Sequence, residues 1–145
     1  VRQVIAVDSS RAMLKAARQR LTGLPQGDIR LGELEALPID DASLDAAISS
    51  LVLHHVADPP AALRSVARTL RPGGRFLLID MLSHDRREYQ QQMGHVWLGF
   101  DPAQIGEYLA QAGFERVRVQ PLPPAPQAKG PALFAATARR LSREG

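Results

Sequence analysis

Apolar and polar positions change period several times along the chain, and each change marks an element. Val4 to Val7 is a short β-branched run closed by Asp8, which predicts a buried parallel strand. Ser9 or Ser10 can cap the next stretch, RAMLKAARQRL. There Met13, Leu14, Ala17 and Leu21 recur at helical spacing, and Gly23 stops the helix. DIRLGEL fits a second short strand, leading into Leu37-Pro38 and the turn-rich DDAS. Leu44 to Leu53 predicts a third strand, broken by HHVADPP. Pro59-Pro60 opens a helix in its first turn, where a missing N–H is harmless, with Ala62, Leu63, Val66, Ala67 and Leu70 on its buried face. RPGG ends that helix and RFLLIDML is a fourth strand. The polar stretch DRREYQQQM reads as an exposed helix. Asp101-Pro102 supplies a cap and a first-turn proline for another, with Ile105, Tyr108, Leu109 and Ala112 inward and Gly113 closing it. FERVRVQPL alternates as a half-exposed strand does, PLPPAPQAKGP is a proline-rich connector, and ALFAATARRL is a last strand.

The order β-α-β-β-α-β-α-α-β-β predicts an α/β fold, a parallel sheet flanked by helices. The last two strands have only a loop between them and should pair as an antiparallel hairpin at the sheet edge. In an open α/β sheet, ligands bind beyond the carboxyl ends of the strands. The residues there are Asp8 after the first strand, and Gly32, Glu33 and Leu34 after the second. Ser49, Ser50, His54 and His55 follow the third, and Asp80, Ser83 and His84 the fourth. Asp8 has two readings: its carboxylate can accept hydrogen bonds from both hydroxyls of a ribose, or it can cap the following helix. The glycine-rich loop of a dinucleotide site lies ~20 residues before such an acid, which here falls upstream of Val1.

At 145 residues the chain has the size of one domain, and 45% hydrophobic with 23% charged residues suffices for a packed core. No apolar run approaches the ~20 residues that span a bilayer. The absence of cysteine excludes disulfides, thiolate metal sites and a cysteine nucleophile, and fits the cytoplasm. The net charge of +3 is scattered, and aromatics are only 5%, so neither a basic block nor a base-stacking surface marks a nucleic-acid interface. The histidines are His54, His55, His84 and His95; the adjacent pair would point to opposite sides of a strand, so no metal site is expected. Neither G-x-S-x-G nor H-E-x-x-H occurs.

Three stretches in order, VIAVDSSRAMLKAA, GELEALPIDDASLDAAISSLVLHHV and LRPGGRFLLID, resemble the class I S-adenosylmethionine-dependent methyltransferases, and the resemblance covers almost the whole chain. It implies a Rossmann-like methyltransferase sheet flanked by helices and ending in an antiparallel hairpin, with the first strand and glycine loop missing. Residues 1–145 are then expected to be a single partial domain, truncated at its N-terminus. The resemblance makes S-adenosyl-L-methionine the cofactor. It makes Asp8 the ribose-binding acid, with Ser9 beside the adenine, Glu33 accepting from the adenine amino group and the Leu34 N–H at N1. Ser50 and Leu51 fall near the methionine end, and His55 at the mouth of the acceptor pocket. His95 and Trp97 lie in a segment that lids that pocket; the competing reading makes Trp97 a core aromatic and His95 a surface residue. The expected reaction is methyl transfer to a small molecule, which needs chiefly in-line positioning, so no catalytic base is named.

A narrower resemblance rests on HDRREYQQQMGHVWLGFDPAQIGEYLAQAGF, which looks like the methyltransferase half of bacterial ArsR-type regulators. It implies DNA contact only through an upstream domain, and the alternative function of a non-catalytic cofactor sensor. A nicotinamide oxidoreductase is disfavoured by the terminal hairpin and by the lack of a Tyr-x-x-x-Lys pair. With its central strand missing, the segment alone is expected to be inactive, and to associate, as a homodimer or as aggregates, through unpaired strands. The expected location is cytoplasmic, with no membrane partner.

Overall fold

Two separate sheets emerge from the alternation of strands and helices in the computed structural model, which describes residues 2–23, 25–84, 97–123 and 130–142. In the first, β1 (Val4–Asp8) and β2 (Gly27–Leu31) pair in parallel, Val4 opposite Gly27 and Asp8 opposite Leu31. Helix α1 (Arg11–Arg20) forms the crossover, with the Ser10 side chain accepting from the Met13 N–H at 3.3 Å. Leu14 is the buried residue of α1. Met13, one of the apolar residues at helical spacing, is 58% exposed, because a two-stranded ribbon offers the helix too narrow a surface to cover its whole apolar stripe.

The second sheet has the order β3-β4-β6-β5, from β3 (Leu44–Ser50), β4 (Leu70–Met81), β5 (Phe114–Pro121) and β6 (Leu133–Arg140). β3 runs parallel to β4, and β6 runs antiparallel to both β4 and β5. The terminal hairpin is therefore present, and its last strand lies inside, between β4 and β5. Helices α2 (Pro59–Thr69) and α3 (Pro102–Gln111) pack together on one face. Between them and the sheet sits the core, where Leu63, Leu70, Leu78, Phe100, Ile105, Leu109 and Phe134 are almost wholly buried. Each such side chain stabilises the fold by about 1.5–3 kcal/mol.

Several boundaries differ from the sequence reading. β3 ends at Ser50 rather than Leu53, because Leu51 adopts φ +57, outside the strand region, and Leu53–His55 close a single 3₁₀ turn. β4 begins at Leu70, so the RPGG stretch is part of the strand; Leu44 faces Leu70 but Ala46 faces Arg75, and the bulge absorbs the extra residues. Pro102 occupies the first turn of α3 as expected, but the Asp101 side chain makes no capping bond. The DRREYQQQM stretch lies outside the described residues, as does much of the proline-rich connector.

The two sheets do not join among the described residues. Among the described residues β1 pairs on one side with β2, and β3 pairs on one side with β4. A cleft of about 1030 Å³ runs between β1 and β3, lined along the length of both strands. This corrects the expectation that β1 is buried: Val4 is exposed and Ile5 to Asp8 are half-buried, and Ile48 on β3 is 73% exposed, since no neighbour covers them from the cleft side. The first sheet is tied to the second through the connection between β2 and β3. There the Arg68 guanidinium donates to the Leu37 and Ile39 carbonyls, each at 2.8 Å, and to Asp41 Oδ1 at 2.6 Å. Buried Ser65 adds its Oγ as acceptor for the Leu37 N–H at 3.0 Å.

Candidate functional site

The residues expected to bind a ligand line the end of the cleft at the carboxyl ends of the strands. The Gly32 N–H donates to the Asp8 carbonyl at 3.0 Å, carrying the β1–β2 ladder one residue further before the chain turns. A side chain at residue 32 is excluded: a Cβ would stand 2.7 Å from Pro38 Cδ and 2.8 Å from its Cγ. The turn then brings Glu33 back towards Ala36, whose N–H donates to the Glu33 carbonyl at 3.1 Å. By this route Asp8, closing β1, and Glu33, two residues beyond β2, come to line the same cleft with Ser9 and Leu34. Across it, from the end of β3 and the turn beyond, stand Ser49, Ser50, Val52 and His55.

Both readings of Asp8 bear on this geometry. Its Oδ1 accepts from the Ser10 N–H at 2.9 Å, so one carboxylate oxygen braces the start of α1 while the residue lines the cleft. Ser49 Oγ is buried and has no hydrogen-bond partner among the described residues, a condition that usually marks a site for water or ligand. Of the residues singled out in the sequence, Asp8, Ser9, Glu33, Leu34, Ser50 and His55 meet around one cleft, whereas Leu51 and Trp97 do not line it. The Leu51 N–H is engaged by the Ile79 carbonyl at 2.9 Å. Half-buried Trp97 packs against the core, donating from Nε1 to the Val56 carbonyl at 2.9 Å. His95 lies outside the described residues.

The histidine pair is arranged differently from the sequence reading. His54 and His55 stand in the 3₁₀ turn rather than in a strand. Successive side chains there diverge by about 120° instead of the near-opposite directions of a strand, and the rings touch, with centroids 4.1 Å apart. His55 is exposed and lines the cleft; His54 is buried, its Nδ1 2.7 Å from Oδ1 of fully buried Asp80. Sequence reasoning placed Asp80 at a strand end but missed this pair. The available signal was an acid closing the apolar run RFLLI, where burial demands a partner. Among the described residues no helix is long and apolar enough to cross a membrane.

Comparison with known proteins agrees with this architecture. The crystal structure of the YcgJ protein from Bacillus subtilis superimposes with a TM-score of 0.76 at 20% identity, covering 100% of this chain and 84% of that one. A protein of 37.1 kDa from transposon TN4556 of Streptomyces fradiae is 46% identical over 76 residues, 52% of this chain and 22% of its own length. A demethylmenaquinone methyltransferase from Symbiobacterium thermophilum is 30% identical over 122 residues, 82% of this chain and 48% of its own. The chain thus spans less than half the length of either curated relative. The family model described as a methyltransferase domain matches residues 1–78, more than half of the chain, and the chain belongs to that family.

Proposed function

We propose that this chain is part of an S-adenosylmethionine-dependent methyltransferase that transfers the methyl group to a small-molecule acceptor. The observation that carries the reading is the pair of acids, Asp8 at the end of β1 and Glu33 two residues beyond the end of the parallel β2, lining the same cleft. That donor and acceptor chemistry fits an adenosyl group. Asp8 Oδ2 is the oxygen that Ser10 does not use, and it accepts from ribose hydroxyls. The Glu33 carboxylate accepts from the adenine amino group, and the Leu34 N–H donates to the ring nitrogen beside it. Ser9 flanks the base, while Ser50 and buried Ser49 Oγ face the methionine end from β3. Leu51 shapes the turn behind Ser50 rather than touching the ligand. The small-molecule acceptor is supported by the relative named for demethylmenaquinone.

The cofactor supplies a methyl group already activated on a sulfonium. What remains for the chain is to hold the nucleoside rigidly, exclude water and set the acceptor in line, tasks that need no nucleophile. His55, exposed at the cleft beyond Ser50, borders the acceptor side. We also read the chain as a partial domain: an apolar strand placed between β1 and β3 would satisfy both open edges and close the floor of the site.

Isothermal titration with S-adenosylhomocysteine, adenosine and inosine tests the assignment. Asp8→Ala lowers the affinity for all three at least ~10-fold, since it removes charge-assisted bonds of about 1.5–3 kcal/mol each. Glu33→Gln narrows the preference for adenosine over inosine by about 1–3 kcal/mol. Equal binding of adenosine and inosine by the unsubstituted chain would sink the role of Glu33, and unchanged affinity in Asp8→Ala that of Asp8.

A further inference from the structure

The turn that leaves β3 is pinned from two sides by contacts that the reading above does not use. Its first residue, Leu51, holds φ +57, an unfavourable conformation for a side chain with a Cβ, and its N–H is fastened to the Ile79 carbonyl at 2.9 Å. At the next residue of β4, Asp80 is fully buried and grips the same turn. Its Oδ1 meets His54 Nδ1 at 2.7 Å and accepts from the Met81 N–H at 2.8 Å, while its Oδ2 accepts from the His54 N–H at 3.3 Å. From the other side the Trp97 N–H donates to the His54 carbonyl at 3.0 Å, and its Nε1–H to the Val56 carbonyl at 2.9 Å.

Burying a carboxylate is unfavourable unless its partners compensate, and an apolar residue at position 80 would fill the core as well. A carboxylate can do one thing there that an apolar residue cannot. It binds the backbone and the ring of His54 together, which fixes both the position and the rotation of the turn. The His54 ring in turn lies against the His55 ring, at 4.1 Å and an interplanar angle of 42°, and His55 lines the cleft with Ser50 and Val52. Neither Asp80 nor His54 lines the cleft itself.

We propose that Asp80 and His54 are positioning residues that hold the Leu51–Val56 turn, and through it His55, against the amino-acid end of a bound adenosyl compound. The proposal rests on the reading of the cleft as an adenosyl site. It separates this pair from Asp8 and Glu33, which serve the nucleoside end. A pair with a merely structural role would affect every ligand alike.

The test compares two probes by calorimetry: S-adenosylhomocysteine, which carries the amino-acid chain, and 5′-methylthioadenosine, which lacks it. Asp80→Asn and His54→Phe should weaken S-adenosylhomocysteine about tenfold, as expected when one charge-assisted bond no longer orders the turn, and leave 5′-methylthioadenosine within about twofold. His54→Asn, whose side-chain N–H can replace the Nδ1–H, should restore most of the preference. Equal loss for both probes, or no loss, overturns the proposal while leaving the adenosyl reading standing. Failure of the unsubstituted protein to bind either probe overturns both. A second measurement does not depend on the variants folding. With ¹⁵N-labelled histidine, His54 should show the Nδ1-protonated tautomer, and the His55 ring resonances should move on addition of S-adenosylhomocysteine. An Nε2-protonated His54, or an unmoved His55 in protein that binds the probe, refutes the arrangement.

Discussion

Arg68, half-buried, should be worth more to this fold than any exposed charge, because it bridges a break in the sheet. Its guanidinium binds the Leu37 and Ile39 carbonyls and the Asp41 carboxylate, so Arg68→Ala removes three hydrogen bonds at once. The Asp41 contact is weak: its side chain is 77% exposed against 37% for Arg68, and solvent screening reduces such a pair to about 0–1 kcal/mol. The two carbonyl bonds are better sheltered, and at about 1–1.5 kcal/mol each they bring the expected loss to roughly 3 kcal/mol. That is a large part of the ~5–15 kcal/mol that stabilises a domain of this size. Arg68→Lys keeps the charge but not the planar fork, and should recover about a third of the loss. Ser65→Ala, at the same Leu37, costs about 1 kcal/mol alone, and its effect should be non-additive with that of Arg68. Urea unfolding measures these three variants and the double substitution of Arg68 and Ser65 by Ala, and amide exchange locates the effect. In Arg68→Ala the amides of β1 and β2 should exchange through a lower-energy opening than those of β4 and β6. A loss below about 0.5 kcal/mol, or uniform loosening of both sheets, would refute the view that this arginine holds them together.

The open edges of β1 and β3 should make the isolated chain self-associate as its concentration rises. Ile48→Lys, at a residue 73% exposed on β3, should suppress that in sedimentation velocity, and a chain that stays monomeric at every concentration would count against an open sheet. Gly99→Ala should destabilise by about 2 kcal/mol or more, since φ is +79 and a Cβ would collide with the Leu82 carbonyl. Gly106→Ala, inside α3 with open space around it, should instead stabilise by about 0.5–1 kcal/mol, and thermal melts showing the same sign for both would contradict these local geometries.

By itself the sequence determined most of the elements and the end of the sheet at which chemistry is placed. The runs around Val4, Leu44 and Phe76 and the helical stripe from Ala62 to Leu70 were legible because each depends on a few consecutive residues meeting either core or solvent. Asp8 and Glu33 could be picked out for the same reason: each follows a strand directly, and strand ends in such a sheet face one side. The antiparallel hairpin was legible too, from the absence of a helix between its strands. Only the tertiary structure decided that β6 sits between β4 and β5, that the sheet opens between β1 and β3, and that Arg68 spans to the connection beyond β2. It also decided the fate of the two histidines. The mostly apolar run from Leu44 to Leu53 points to a strand continuing past Ser50, but the buried Asp80, 26 residues away in sequence from His54, takes hold of that histidine and turns the chain. Period and composition report how a residue meets its surroundings on average. Which distant group completes a hydrogen bond, and which strand edge is left without one, depends on how separate elements close upon each other, and no local pattern encodes that closure.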